Sequence, residues 1–280
     1  MDNARQTRPP VVILARPQMG ENIGAAARAM MNCGLSDLRL VAPRDGWPNA
    51  AALPMAAGGK AIIETAQVFD TVAAATADVS FLAATSARRR DLAIRSLDPR
   101  GAAEMIVAHM AAAPDNPPNN SPDEQNRAAL LFGPEASGLD NDEVVLADIL
   151  VTASLNPAYP SLNLAQGVLL MAWEWRMAVL YAAGQNAEVP SVNVPSVNVP
   201  SAGVPGDAAH RPGRASVAER DYFYKRLEMA LDEGGFFTAP DMVATVKRNI
   251  RALFNRAAPS KQEISTLHGI LQALTRNRKT

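Results

Sequence analysis

Three polar clusters, each lying between an apolar run and a helical pattern, hold the side chains of this 280-residue sequence that could do chemistry. The first is RPQMGENIGAAARAMMNCGL (16–35), where Gly20 and Asn22 lead into a helical stretch bearing Arg28. Helical side chains lean toward the N-terminus, so an arginine two turns in can return its guanidinium to the strand end. Equally, Asn22 could cap an ordinary helix with Arg28 on its surface. The second cluster, LLFGPEASGLDNDEV (130–144), sets Glu135 in a Gly-Pro-Glu turn and Asp140 where it can cap a helix. Gly133 permits close backbone approach by a ligand, but Glu135 could also be a plain turn carboxylate. The third, ASLNPAYPSLNLAQGVLLMAWE (153–174), puts Ser161 and Asn163 before a long apolar helix, which Ser161 could simply cap.

Other chemistries find no support. The sequence has no GxxxxGK phosphate loop and no GxGxxG after a strand, and Gly133 to Gly138 is not a GxSxG nucleophile elbow. One cysteine, Cys33, allows no internal disulfide, and His109, His210 and His268 lack metal-ligand spacing, so neither metal nor thiol chemistry is expected. The most apolar stretch, Val168 to Ala178, contains Glu174 and Arg176 and falls short of the roughly 20 residues a membrane helix needs. With no signal-peptide core in MDNARQTRPP, a cytoplasmic protein is expected.

The elements that must position these clusters are legible as a pattern. VVILAR (11–16), LRLVAP (38–43), VSFLAATS (79–86), AALLFG (128–133) and ILVTASL (149–155) read as buried strands. Helical stretches are expected at Ile23 to Cys33, Ala61 to Ala77, Pro99 to Ala113, Asp140 to Ala147 and Asn163 to Ala183. Such alternation implies an α/β fold with a parallel sheet covered on both faces, whose ligands bind outside the carboxyl ends of the strands. Residues 1–183 form this domain. A Pro-rich linker (184–215) follows, with its imperfect VPSVN repeat, and then a helical module (216–280) at Val217 to Asp232, Asp241 to Asn255 and Ser260 to Thr275.

Charge is uneven along the chain. The formal net charge is -1, yet Lys247, Arg248, Arg251, Arg256, Lys261, Arg276, Arg278 and Lys279 face only Asp241 and Glu263 after residue 240, leaving that segment at +6 and the remainder at -7. A basic end of this kind suits a polyanion, although a solvated helical face would look the same. If it serves RNA alone, removing the chain after Ala183 should spare cofactor binding.

Together NIGAAARAMMNCG, FGPEASGLDN and NPAYPSLNLAQG resemble, in order and in placement, the three motifs of SpoU/TrmH-type (SPOUT) RNA 2′-O-methyltransferases. ATSARRR (84–90), LFNRA (253–257) and EISTLHGIL (263–271) are similar to the TrmJ-like branch of that family. The resemblance implies a parallel sheet with a C-terminal trefoil knot, an exception to the rule that chains do not knot. It implies S-adenosylmethionine held by Thr85, Ser86, Ala87, Gly133, Ala153, Ser161, Leu162 and Asn163, with no metal. It also implies a homodimer built on the helices 23–33 and 163–180. The substrate implied is a tRNA ribose, at nucleotide 32 of the anticodon loop; another tRNA or rRNA ribose, or an inactive RNA-binding relative, are the alternatives.

In the family the motif-one arginine, here Arg28, activates the hydroxyl. A guanidinium is a poor base, so it would act through an RNA phosphate or by lowering the hydroxyl's pKa. Asn22, Glu135, Ser161 and Asn163 would orient Arg28, ribose and cofactor, and Arg88, Arg90, Lys247, Arg248 and Arg251 would hold RNA.

Overall fold

In the computed structural model, which describes residues 9–86, 94–112, 126–184 and 214–276, each of the five apolar runs contains a strand. The strands are β1 (Val11–Ala15), β2 (Leu38–Val41), β3 (Gln67–Phe69), β4 (Phe81–Thr85), β5 (Arg95–Leu97), β6 (Ala128–Phe132) and β7 (Ile149–Val151). The helices are α1 (Gly20–Cys33), α2 (Ala52–Ala56), α3 (Lys60–Glu64), α4 (Val72–Ala75), α5 (Pro99–Ala111), α6 (Asn141–Val144), α7 (Leu164–Ala182), α8 (Val217–Glu233), α9 (Val243–Ala257) and α10 (Lys261–Arg276).

All pairings are parallel, in the spatial order β3-β2-β1-β6-β4-β7-β5. The late strands β6 and β7 slot between strands formed earlier in the chain, so the loops after β4, β6 and β7 emerge side by side. Every residue of β1 and β6 is buried, because helices cover both faces; that is why these strands read as unbroken apolar runs. One core joins the sheet to α1, α2, α3, α5 and α7. The other joins it to α4, α6 and the start of α8.

The helix expected over Ala61 to Ala77 is corrected. It divides into α3, the edge strand β3 and α4, whose N-cap Thr71 accepts a hydrogen bond from the Ala74 N–H. Pairing of Gln67 with Arg39 satisfies backbone that β2 would otherwise leave open, and this outweighs the helix preference of the alanines. Close packing of α1 against α2 requires a residue without a side chain: a Cβ on Gly24 would lie 2.1 Å from the Ala52 carbonyl oxygen.

The helical module is not a free appendage. Asp148, just before β7, is buried and accepts from Arg214 Nη2 at 2.6 Å, Arg220 Nη1 at 2.6 Å and the Leu82 N–H at 2.8 Å. Asn255 of α9 donates to the Val145 carbonyl at 2.7 Å and accepts from Arg220 Nη1 and the Tyr224 hydroxyl. Burial alone would raise the Asp148 pKa, but Arg214 and Arg220 override it and hold the carboxyl below its ordinary range. Val217 joins the core of the sheet domain. Removing everything after Ala183 would therefore strip Arg214 and Arg220 from Asp148, so the truncation reaches into the sheet domain as well as removing basic charge.

Beside this joint the His109 ring meets the Ser80 hydroxyl at 2.9 Å and lies 5.0 Å from the Phe81 ring. Burial, assisted by the cation of Arg214, pushes the His109 pKa down to about 4. The folded protein thus resists protonation that the unfolded chain accepts near pH 6.5. The stability contribution is complete above that pH and lost as pH falls toward 4, by on the order of 3 kcal/mol. Urea unfolding at pH 7 and pH 4.5 should show this loss in the wild type and a smaller one in His109→Gln; equal losses would refute it.

Candidate active site

The three polar clusters meet at the carboxyl end of the sheet. Asn163 Nδ2 donates to Asn22 Oδ1 at 2.9 Å, and Asn22 Nδ2 donates to Glu135 Oε1 at 2.7 Å. The second carboxylate oxygen, Oε2, accepts from the Gln18 N–H at 3.0 Å. One chain of hydrogen bonds thus ties the loops after β1, β6 and β7. The capping reading of Asn22 is excluded, because α1 starts at Gly20 and its N-cap, Met19, makes no side-chain bond. Asn163, not Ser161, caps α7, in a reciprocal capping box with Gln166.

Beside this chain lies a cavity of about 340 Å³, walled by the loops after β4, β6 and β7 and by the first turns of α7. Thr85, Ser86, Gly133, Glu135, Ala153, Ser161, Leu162 and Asn163 all line it, while Ala87 falls outside the described residues. Phe132, Leu139, Leu155 and Met171 supply an apolar wall that suits a flat heterocycle. The β6 loop folds back tightly: a Cβ on Gly133 would lie 2.3 Å from the Leu139 nitrogen, so only glycine fits. We expect Gly133→Ala to lower S-adenosylmethionine affinity at least about tenfold, since the loop must open to relieve the clash; calorimetric titration measures it.

Sequence reasoning missed two residues that hold this loop. Arg16, in the left-handed region at φ 47°, makes paired hydrogen bonds to Glu143 at 2.5 and 2.8 Å. Glu143 also accepts from the Asp140 N–H, closing the capping box of α6. The end of β1 is thereby fastened to the far end of the cavity loop. Only the positive φ at a non-glycine marks Arg16 as special, and no sequence pattern announces it.

Arg28 is not joined to this group. It is exposed on α1, its side chain makes no hydrogen bond or ion pair with the described residues, and it does not line the cavity. Its helical neighbour three residues on, Met31, is 55% exposed, so both point outward from the domain. Arg88 and Arg90 lie outside the described residues. Lys247 and Arg248 are half-buried on α9, whereas Arg251 is committed to Glu228 at 2.6 Å and Asp221 at 3.0 Å.

A second cavity, about 530 Å³, opens at the other end of the strands. Its arginines, Arg39 and Arg127, are paired with Asp37 and Asp78, leaving little charge for a ligand. Among the described residues no cluster of three or more His, Cys, Asp or Glu could hold a metal, and no helix is long and apolar enough to cross a membrane.

A parallel α/β sheet with an apolar-walled cavity at its carboxyl end, rimmed by polar loops, is the place where such folds hold a small-molecule ligand. Residues 9–173 match the SpoU rRNA Methylase family, and residues 218–280 match the C-terminal domain of the tRNA methyltransferase TrmJ. The chain belongs to the SpoU methylase family of S-adenosylmethionine-dependent RNA methyltransferases, in its TrmJ-like branch.

Among its relatives, the tRNA (cytidine/uridine-2′-O-)-methyltransferase TrmJ of Klebsiella pneumoniae is 35% identical over 268 residues, covering 96% of this chain and 97% of that protein. The tRNA (cytidine/uridine/adenosine-2′-O-)-methyltransferase TrmJ of Pseudomonas aeruginosa is 34% identical, covering 93% and 91%. The crystal structure of TrmJ from Z. mobilis ZM4 is similar with a TM-score of 0.73 and 37% identity, over 95% of this chain and 99% of that one.

Proposed function

We propose that the protein methylates the ribose 2′-hydroxyl of cytidine or uridine in tRNA, at nucleotide 32 of the anticodon loop. The likeness to tRNA (cytidine/uridine-2′-O-)-methyltransferases over nearly the whole chain supports the substrate, and the chain Asn163–Asn22–Glu135–Gln18, which fastens three loops around the cavity, supports the site. Bound there, S-adenosylmethionine supplies an activated methyl group on its sulfonium. The protein's task is then alignment: Gly133 and the loops bearing Thr85, Ala153 and Ser161 to Asn163 seat the donor, and Asn22 and Glu135 keep the rim rigid. Strands β6 and β7, inserted between earlier ones, fit the trefoil threading that we propose for this segment.

Arg28 is the proposed activating group, and its outward position fits a site completed by a second copy of the chain. Leu169, Trp173 and Tyr181 on α7, with Met31 on α1, are 44%, 55%, 79% and 55% exposed. Leu169 and Trp173 are spaced for one helix face, and an apolar surface of this kind suits a homodimer. Arg88, Arg90, Lys247 and Arg248 are proposed phosphate ligands, and Arg251 would act by holding α9 in place. A cytoplasmic location is part of the same proposal, since it goes with a tRNA substrate.

Mapping 2′-O-methylation in tRNA from cells with and without the gene tests the reading. Loss of the mark at nucleotide 32 supports it. Loss at another tRNA ribose or in rRNA, the substrate in the matched family's name, would move the site, and no loss would overturn the reading.

A further inference from the structure

Resting on that reading, the surface formed where α8 turns into α9 carries an inference of its own. After Gly234 and Gly235 the chain presents Phe236 and Phe237, whose rings meet edge to face at 5.4 Å. Phe236 is 55% exposed, and Lys247 Nζ sits 5.3 Å from the centre of the Phe237 ring. Next to Lys247, Arg248 reaches across to Asp142 of α6 at 3.7 Å. That places the patch beside the cavity loop, since Asp142 lies in the first turn of α6, whose N-cap Asp140 is two residues after Gly138 of the cavity wall. α9 itself carries Lys247, Arg248, Arg251 and Arg256 and no acidic residue.

An exposed aromatic beside a lysine, on a surface whose helix α9 carries only basic charges, is a costly surface to leave in water and a poor core for a protein interface, which disfavours lysine. It fits single-stranded RNA. Unpaired bases stack on aromatic side chains, while adjacent cations take the flanking phosphates. We propose that Phe236 is a stacking platform for an unpaired base of the substrate tRNA, with Phe237 and Lys247 fixing its orientation and Lys247 and Arg248 holding the neighbouring phosphate. Lys247 restrains Phe237 by its cation–π contact, so the platform exists before RNA arrives. The fit depends on a splayed base, and a loop rather than a stem is therefore what this face recognises.

The test compares full-length wild type, Phe236→Ala, Phe236→Leu, Phe236→Trp and Lys247→Gln in methylation of a tRNA transcript, with calorimetric S-adenosylmethionine binding and solution mass measured alongside. Expected for Phe236→Ala and Phe236→Leu is a rise in KM for tRNA of about tenfold or more, with kcat, cofactor affinity and mass unchanged. Phe236→Trp retains wild-type KM. Lys247→Gln lowers the salt dependence of tRNA binding by about one phosphate contact, and Phe236→Ala does not. Unchanged KM in Phe236→Ala, wild-type KM in Phe236→Leu, or a change of oligomeric mass would overturn the platform, the last by making this face a contact between chains. Failure of the wild type to methylate tRNA would instead sink the underlying reading, and the platform with it.

Discussion

Arg28→Ala is expected to reduce methyl transfer by at least ~10²-fold, the scale on which a single charge-stabilising donor acts, while leaving fold and S-adenosylmethionine affinity nearly intact. The structure supports the second half directly: Arg28 is exposed, unpaired among the described residues, and absent from the cavity wall, so its loss removes no contact there. Arg28→Lys should not rescue, because a compact ammonium cannot reproduce the planar fork that spans phosphate and hydroxyl. Single-turnover methylation with excess enzyme and saturating tRNA separates this role from simple affinity. Were Arg28 only a phosphate ligand, the variants would regain their rate at saturation, since uniform binding is lost in KM rather than kcat. Near-normal rates under those conditions would remove Arg28 from the chemistry.

The second large effect is on stability. Asp148→Ala leaves Arg214 and Arg220 without their shared carboxylate and the Leu82 N–H without its acceptor, all in a region with almost no solvent access. Breaking such a buried arrangement costs about 3–5 kcal/mol. Equilibrium urea unfolding should show that loss, and a change under about 1 kcal/mol would mean that water already screens the joint. The pH signature is separable from that of His109. The folded Asp148 carboxyl titrates below its ordinary range, so its contribution is complete above the unfolded value near pH 4 and is lost only as pH falls further. His109 acts between pH 6.5 and 4. Because Asp148 grips both Leu82 of β4 and the start of β7, the strands that lead to the cavity, cofactor binding should weaken along with stability.

Much of this protein is determined by local pattern. Five strands buried on both faces must be unbroken apolar runs, and the cap Asp140 stands where a helix needs an acceptor for its first N–H groups, whereas Ser161 and Asn163 both offered one for α7 and the fold took Asn163. The place of the cavity follows from strand ends, because a parallel sheet brings its carboxyl termini to one edge whatever the loops do, while lining residues such as Thr85, Ser86 and Ala153 are implied only by the family resemblance. What the tertiary structure decided is pairing across distance. β3 and β5 are three-residue edge strands with largely exposed side chains; they form because β2 and β7 offer open backbone, and their own residues encode no period. Whether Asn22 capped a helix or bridged Glu135 to Asn163 depended on partners 113 and 141 residues away. Whether the basic end was an appendage or a docked module depended on which arginines met Asp148, and whether Arg251 faced solvent depended on Glu228 and Asp221. A charge's neighbours in space settle its role. Sequence spacing reports only its neighbours along one helix or strand.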